Sequence, residues 1–165
     1  MTNSSGFQNS CFVTSYYICF KEQTIDLDVI GIPERVMNCY KPSILISEWY
    51  AARKNCGCLY ECEVSLMDSK YAILAKYPFR ATFAQWEGGA WHKVCSIFLS
   101  SFNTNIYTFL SLKMEKIIQD YPKGVRYIKF CHRGEDTQFW HYGSKFTAAT
   151  VLIRIENGIA LEEHI

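Results

Sequence analysis

The sequence predicts an all-β domain, an antiparallel β-sandwich, and three observations carry that expectation. Aromatic residues make up 16% of the 165-residue chain, and rings fit the pleated, half-buried surface of a strand. Apolar runs are short and are punctuated by Gly, Pro, Asn and Asp, the residues that turn a chain. In CGCLYECEVSL, residues Cys58, Tyr60, Cys62, Val64 and Leu66 alternate with Leu59, Glu61, Glu63 and Ser65, the period of a strand with one face in a core. A chain of this length buries that core within a single domain.

After a polar N-terminal tail, residues 1–10, strands are expected at Cys11 to Phe20 and Lys21 to Asp28. Lys41-Pro42 turns the chain into Ile44 to Trp49, and Asn55 to Gly57 turns it again into Leu59 to Met67. Asp68-Ser69 leads to Tyr71 to Tyr77, and Glu87 to Gly89 leads to Trp91 to Phe98. Pro122 to Gly124 precedes Val125 to Cys131, and Arg133 to Asp136 is expected to turn before the last strand, Ala149 to Ile155. Residues 157–165 are expected to be a C-terminal tail, which gives an expected domain of 11–156.

One segment breaks this rhythm. Residues 99–118, LSSFNTNIYTFLSLKMEKII, separate two expected strands by more than a sandwich turn needs. A short helix is expected in the second half, with Leu110, Met114, Ile117 and Ile118 on one side. The richness in Asn, Ile, Phe, Leu and Lys is also what an A/T-rich intron read in frame encodes, which leaves a retained intron as an alternative to a genuine insertion.

Charge excludes several classes. With 17 Lys and Arg against 16 Asp and Glu, and no long run of one sign, neither nucleic acid nor an anionic membrane is an expected partner. No apolar window is long enough to span a bilayer, and MTNSSGFQNS lacks the regions of a signal peptide. A cytoplasmic protein is expected, and disulfides are disfavoured there. The cysteines at 11, 19, 39, 56, 58, 62, 95 and 131 are therefore read as core thiols, since Cys56, Cys58 and Cys62 lack the paired spacing of a zinc site. No metal or cofactor is expected. No enzyme is expected either: Cys131 and His132 are neighbours that a strand points to opposite faces, and no phosphate-cradling Gly motif is present.

The stretch His132 to Tyr142, HRGEDTQFWHY, is the most informative. Phe139 and Trp140 are adjacent, so a strand cannot bury both on one face, whereas a loop can turn both toward a ligand. Such a pair suits stacking on the apolar face of a sugar or a peptide. Glu135 and Asp136 are expected to fix the loop through local hydrogen bonds.

Three segments, Cys11 to Leu27, Ser47 to Leu66 and Asp120 to Trp140, together resemble the F-box-associated domain of sugar-recognising F-box proteins and of the non-specific cytotoxic cell receptor protein. The resemblance covers about Cys11 to Ile155. It implies a jelly-roll, galactose-binding-like sandwich whose end loops hold the chitobiose core of high-mannose N-glycans on misfolded glycoproteins, which an SCF ubiquitin ligase then marks for degradation. Carried over position by position, the glycan-binding residues are Tyr16, Asn55, Phe139 and Trp140. Tyr16 is also explained as a strand-edge core residue, and Asn55 more readily as a turn former. Family members place two more residues after the aromatic pair, where Trp140 here runs directly into His141-Tyr142-Gly143. The alternative is a glycan-independent protein-interaction sandwich. The ten or so residues before the first matched strand cannot hold an F-box, so ubiquitin-ligase components are expected partners only if an F-box is supplied elsewhere.

Overall fold

A computed structural model describes residues 10–95, 116–118, 120–139, 142–155 and 159–164. Among the described residues the strands are β1 (Phe12–Val13), β2 (Cys19–Asp26), β3 (Ser43–Ala51), β4 (Cys58–Met67), β5 (Ile73–Phe83), β6 (Trp91–Cys95), β7 (Lys116–Ile118), β8 (Tyr127–Asp136), β9 (Lys145–Ile155) and β10 (Ile159–His164), with one helix, α1 (Glu34–Tyr40). Every strand pairing is antiparallel. In the first sheet β3 and β9 lie side by side; β1 and β10 both pair with β9, while β6 and β7 both pair with β3. The second sheet runs β2-β8-β4-β5. Two antiparallel sheets with a shared core make the all-β sandwich that the alternation predicts.

The core follows from parity. Ile44, Ile46, Glu48 and Tyr50 of β3 are buried, as are Cys58, Tyr60, Cys62, Val64 and Leu66 of β4. Ile128, Phe130 and His132 of β8 and Phe146, Val151 and Ile153 of β9 complete it. The stacked rings of Tyr50 and Tyr60, 4.5 Å apart, link the two sheets. Cys58 and Cys62 thus serve as small core residues.

Several expected boundaries move, each for a local reason. Cys11 to Phe20 is not one strand, because β1 belongs to the first sheet and β2 to the second, and the chain crosses between them at residues 14–18. The ladder of β2 then runs without a break from Cys19 to Asp26. β5 continues past Tyr77 to Phe83; it is an edge strand, where the missing N–H of Pro78 costs no interior ladder bond. β9 begins four residues before Ala149, at Lys145.

The expected turn at Arg133 to Asp136 is strand, since β8 pairs with β4 as far as Cys58 opposite Asp136. Gly134 is there for close approach rather than for a turn. A Cβ at this position would overlap the Ser144 hydroxyl and lie 2.7 Å from the Leu59 carbonyl oxygen.

Helix α1 was not foreseen. Pro33, in extended conformation at φ −67° and ψ 157°, precedes it, and Glu34 supplies an acidic first turn. Asn38 donates to the Glu34 carboxylate at 3.0 Å, and the helix stops at Lys41, whose φ of 46° is left-handed, just before Pro42. Seven residues are too few to display a helical period.

The expected helix in 99–118 lies largely outside the described residues. At its end, Lys116, Ile117 and Ile118 form strand β7, correcting the assignment of Ile117 and Ile118 to a helical face. β6 leaves β3 with Cys95 opposite Ser47, and β7 returns with Lys116 opposite Ile46. These are consecutive rungs of one ladder. Lys116 therefore takes the place that residue 96 would take in an uninterrupted edge strand.

Candidate functional site

Four chain segments meet at one end of the sandwich. The Ser15 carbonyl accepts from the Asp136 N–H at 2.9 Å, and the Gly57 carbonyl from the Thr137 N–H at 3.1 Å. Gln138 returns its side-chain oxygen to the Gly57 N–H at 2.9 Å. Thr14 is tied to Ser144 and Gly143 by backbone bonds of 2.9 and 3.0 Å. The segment carrying Tyr16, the turn carrying Asn55 and the loop carrying Phe139 are thereby laced together, chiefly by main-chain groups.

Phe139 is 74% exposed and has a φ of 64°, a conformation that costs a bulky residue energy and needs support from its surroundings. Support comes from below, where the Asp136 carboxylate accepts from the Gln138 N–H at 2.6 Å, the local bond expected of it. Tyr16 is half-buried; its ring lies 5.1 Å from that of Phe139 and 4.8 Å from that of Tyr17. Tyr17 is 78% exposed. Three rings thus form a continuous surface, two of them largely in solvent. Asn55 is exposed in the turn between β3 and β4, and its side-chain oxygen accepts from the Cys56 thiol. Trp140 lies outside the described residues, as does His141.

Two contributors at this end were not singled out from sequence. Tyr17 extends the ring surface, and the Arg53 guanidinium sits 4.0 Å from the centre of the Tyr142 ring, bringing a cation to an exposed aromatic. The thiol of Cys58, beneath the Asn55 turn, is pushed up to about 12 by burial, with the charge of Asp136 and Cys56 acting in the same sense. A thiol raised in this way is a poor nucleophile at neutral pH. Among the described residues no group of His, Cys, Asp and Glu is gathered as a metal site.

A second polar cluster lies in the interior. Glu48 of β3 receives the phenolic O–H of Tyr60 on one oxygen, and its other oxygen is 2.6 Å from Nδ1 of His132. The His132 ring is 4.3 Å from Phe146 and edge-on to Phe130 at 5.2 Å. Nε2 of His132 is buried and has no hydrogen-bond partner among the described residues. The signal for this cluster was present in the sequence: Glu48 shares the parity of Ile44, Ile46 and Tyr50, so a carboxylate was due in the core. Its relation to His132 required the fold.

The sequence pattern of the F-box associated region matches residues 2–108 and 100–153. The chain belongs to that family. Among its relatives, F-box only protein 6 of Homo sapiens is 37% identical over 145 residues, covering 86% of this chain and 43% of its own length. F-box only protein 27 of Homo sapiens is 33% identical over 149 residues, with 88% and 46% covered. F-box only protein 44 of Homo sapiens is 36% identical over 145 residues, with 86% and 49% covered. The chain thus spans somewhat less than half the length of these relatives. The domain has the β-sandwich of its family. Among the described residues no helix is long and apolar enough to cross a membrane.

Proposed function

We propose that the domain is a non-catalytic recognition module that binds the chitobiose core of high-mannose N-glycans on misfolded glycoproteins. In this reading it acts in the cytoplasm and selects clients for SCF-type ubiquitination and endoplasmic-reticulum-associated degradation, with the F-box supplied elsewhere. The observation that supports it is the exposed ring of Phe139, held at positive φ against Tyr16 and continued by Tyr17. Rigid rings lose little entropy on binding and offer apolar faces to a sugar, while the Asn55 amide can direct hydroxyls. Trp140, the next residue in the sequence, is the further ring that this reading assigns to the site. Calorimetric titration with chitobiose tests the proposal: binding that is lost in Trp140→Ala and Phe139→Ala, with folding intact, supports it. No binding by the wild-type chain rejects it.

A second reading is favoured by the exposed apolar side chains that follow Tyr17 in the chain, Ile18 at 49% and Phe20 at 63% exposure. In that reading the same end of the sandwich takes a protein partner irrespective of glycans. Capture of a defined glycoprotein client before and after enzymatic deglycosylation separates the two, since only the first reading requires the glycan.

A further inference from the structure

Glu61 and Glu63 alternate along β4 with the buried Tyr60, Cys62 and Val64, so they leave the second sheet on its outer side. There they border an open cavity of about 420 Å³ between residues of β4, β5 and β8. Three cations, Lys76, Arg80 and Arg133, stand in its wall against these two carboxylates. Tyr16, Asn55 and Phe139 do not line it, and the inference does not rest on the glycan reading of their site.

Both carboxylates are already engaged. Glu63 accepts from Lys76 at 2.8 Å, a bond that holds its carboxyl below the ordinary range, and Glu61 accepts from Nε of Arg133 at 2.6 Å. Arg80 is the cation in excess. Its guanidinium comes no nearer to Glu61 than 3.5 Å and forms no hydrogen bond among the described residues. The side chains of Arg80 and Arg133 are 67% and 52% exposed, so solvent and ligands reach both, and each keeps N–H donors to spare. Register fixes what lies beside them. Phe20 of β2 stands opposite Arg133, Arg133 opposite Glu61, and Glu61 opposite Arg80. Residues opposite one another share a face, so the exposed ring of Phe20 lies in line with the two guanidiniums. Neighbouring strands are about 4.8 Å apart, which puts β4, midway between the arginines, about 10 Å from the strand of Phe20.

From these features we infer that the outer face of the second sheet binds an acidic segment of a protein partner. One Asp or Glu carboxylate sits between Arg80 and Arg133, and an apolar side chain about three residues away in the extended segment rests on Phe20. A guanidinium matches the fork of a carboxylate, and two of them outweigh the like charge of Glu61. Three cations against two carboxylates leave a place for one negative charge, which suits a carboxylate better than a dianionic phosphate. An exposed ion pair alone contributes little, so a small free carboxylate is held weakly and the contact with Phe20 supplies the remainder. The cavity opens along the sheet rather than closing over a ligand, as an extended chain requires.

The test is an NMR titration of the full chain, following the side-chain Nε–H signals of Arg80 and Arg133. The probes are acetyl-Leu-Ser-Ser-Asp-amide, the same peptide with Asn in place of Asp, acetate and inorganic phosphate, each added separately. The expected result is a saturable shift of both signals with the Asp peptide, and binding about fivefold or more weaker with each of the other three. Arg80→Gln, read at Arg133, and Phe20→Ser should each weaken binding of the Asp peptide about threefold or more. Phe139→Ala should leave it unchanged. The amide spectrum of each unliganded variant reports its folding. Unmoved arginine signals, equal affinity for the Asn peptide, or acetate or phosphate binding as tightly as the Asp peptide overturns the proposal. Binding unchanged in Arg80→Gln or in Phe20→Ser overturns it as well. A response abolished by Phe139→Ala also overturns it, by assigning the peptide to the loop site.

Discussion

Glu48 and His132 meet across the interior of the sandwich at 2.6 Å, one from each sheet, with the side chains 1% and 3% exposed. Removing one member leaves the other buried without its partner, so Glu48→Leu and His132→Phe should each cost about 3 to 5 kcal/mol. Combining them should cost less than the sum, because the cluster is then replaced by packed apolar groups. Chemical denaturation of the three variants measures this coupling. Additive losses would show that the pair does not act as a unit.

Phe139 occupies a backbone conformation that suits glycine better. Phe139→Gly should therefore relieve backbone strain of about 1 kcal/mol while removing the ring from the candidate site. Thermal unfolding should show no loss of stability alongside reduced chitobiose binding. A fall in stability would mean that the contact with Tyr16 outweighs the strain.

Gly134 has no space for a side chain. Gly134→Ala should destabilise by about 1 to 3 kcal/mol, the usual range for overpacking. Ser144→Ala should restore only part of it, since the Leu59 carbonyl also lies within 2.7 Å of the added carbon. Denaturant midpoints of the single and double variants decide the matter, and full rescue would assign the clash to the hydroxyl alone.

Alkaline conditions should weaken the fold. The Cys58 thiol is raised from 9.0 to about 12, and burial raises the Tyr60 phenol in the same direction. The folded state therefore holds protons that the unfolded chain releases first. The contribution of Cys58 is intact below pH 9.0 and is lost progressively as pH rises toward about 12. Urea titrations across that range should show falling stability, with a shallower fall in Cys58→Ala. An unchanged slope in that variant would exclude the thiol as a cause.

The register of β6 and β7 supports treating the segment around 99–118 as an addition to the sandwich. Deleting residues 99–118 would let Ser96, Ile97 and Phe98 continue from Cys95 along β3, with Phe98 at the rung opposite Ile44 that Ile118 now holds. The shortened chain should fold with a cooperative transition at least as stable as that of the full chain. An unfolded product would show that the segment is needed by the fold. Sequencing the transcript tests the intron alternative, and a message containing these codons removes it.

Where the sequence was legible, it was because burial obeys parity. The alternation from Cys58 to Leu66 located β4 and its inward face without any tertiary knowledge. Parity failed at Gly134 because glycine signals both turns and close approaches, and only the proximity of Leu59, Thr14 and Ser144 separates them. It failed at residues 14–18 because a change of sheet leaves no periodic mark. Phe139 could be named from its exposed aromatic character, and its family counterpart pointed to Tyr16. The part played by Tyr17 stayed hidden, since nothing in VTSYYI says which tyrosine turns outward. Glu48 and His132 are far apart in the chain, and their pairing is a property of the stacked sheets.

The main-chain lacing at the end of the sandwich has an evolutionary consequence. The loops are held by carbonyls and amides of Ser15, Gly57, Asp136, Thr137 and Thr14, groups that survive almost any substitution of a neighbouring side chain. Tyr16, Tyr17, Asn55 and Phe139 can therefore diverge while the frame that presents them persists. Such an arrangement allows one inherited scaffold to present different side chains at the same end of the sandwich without loss of its frame.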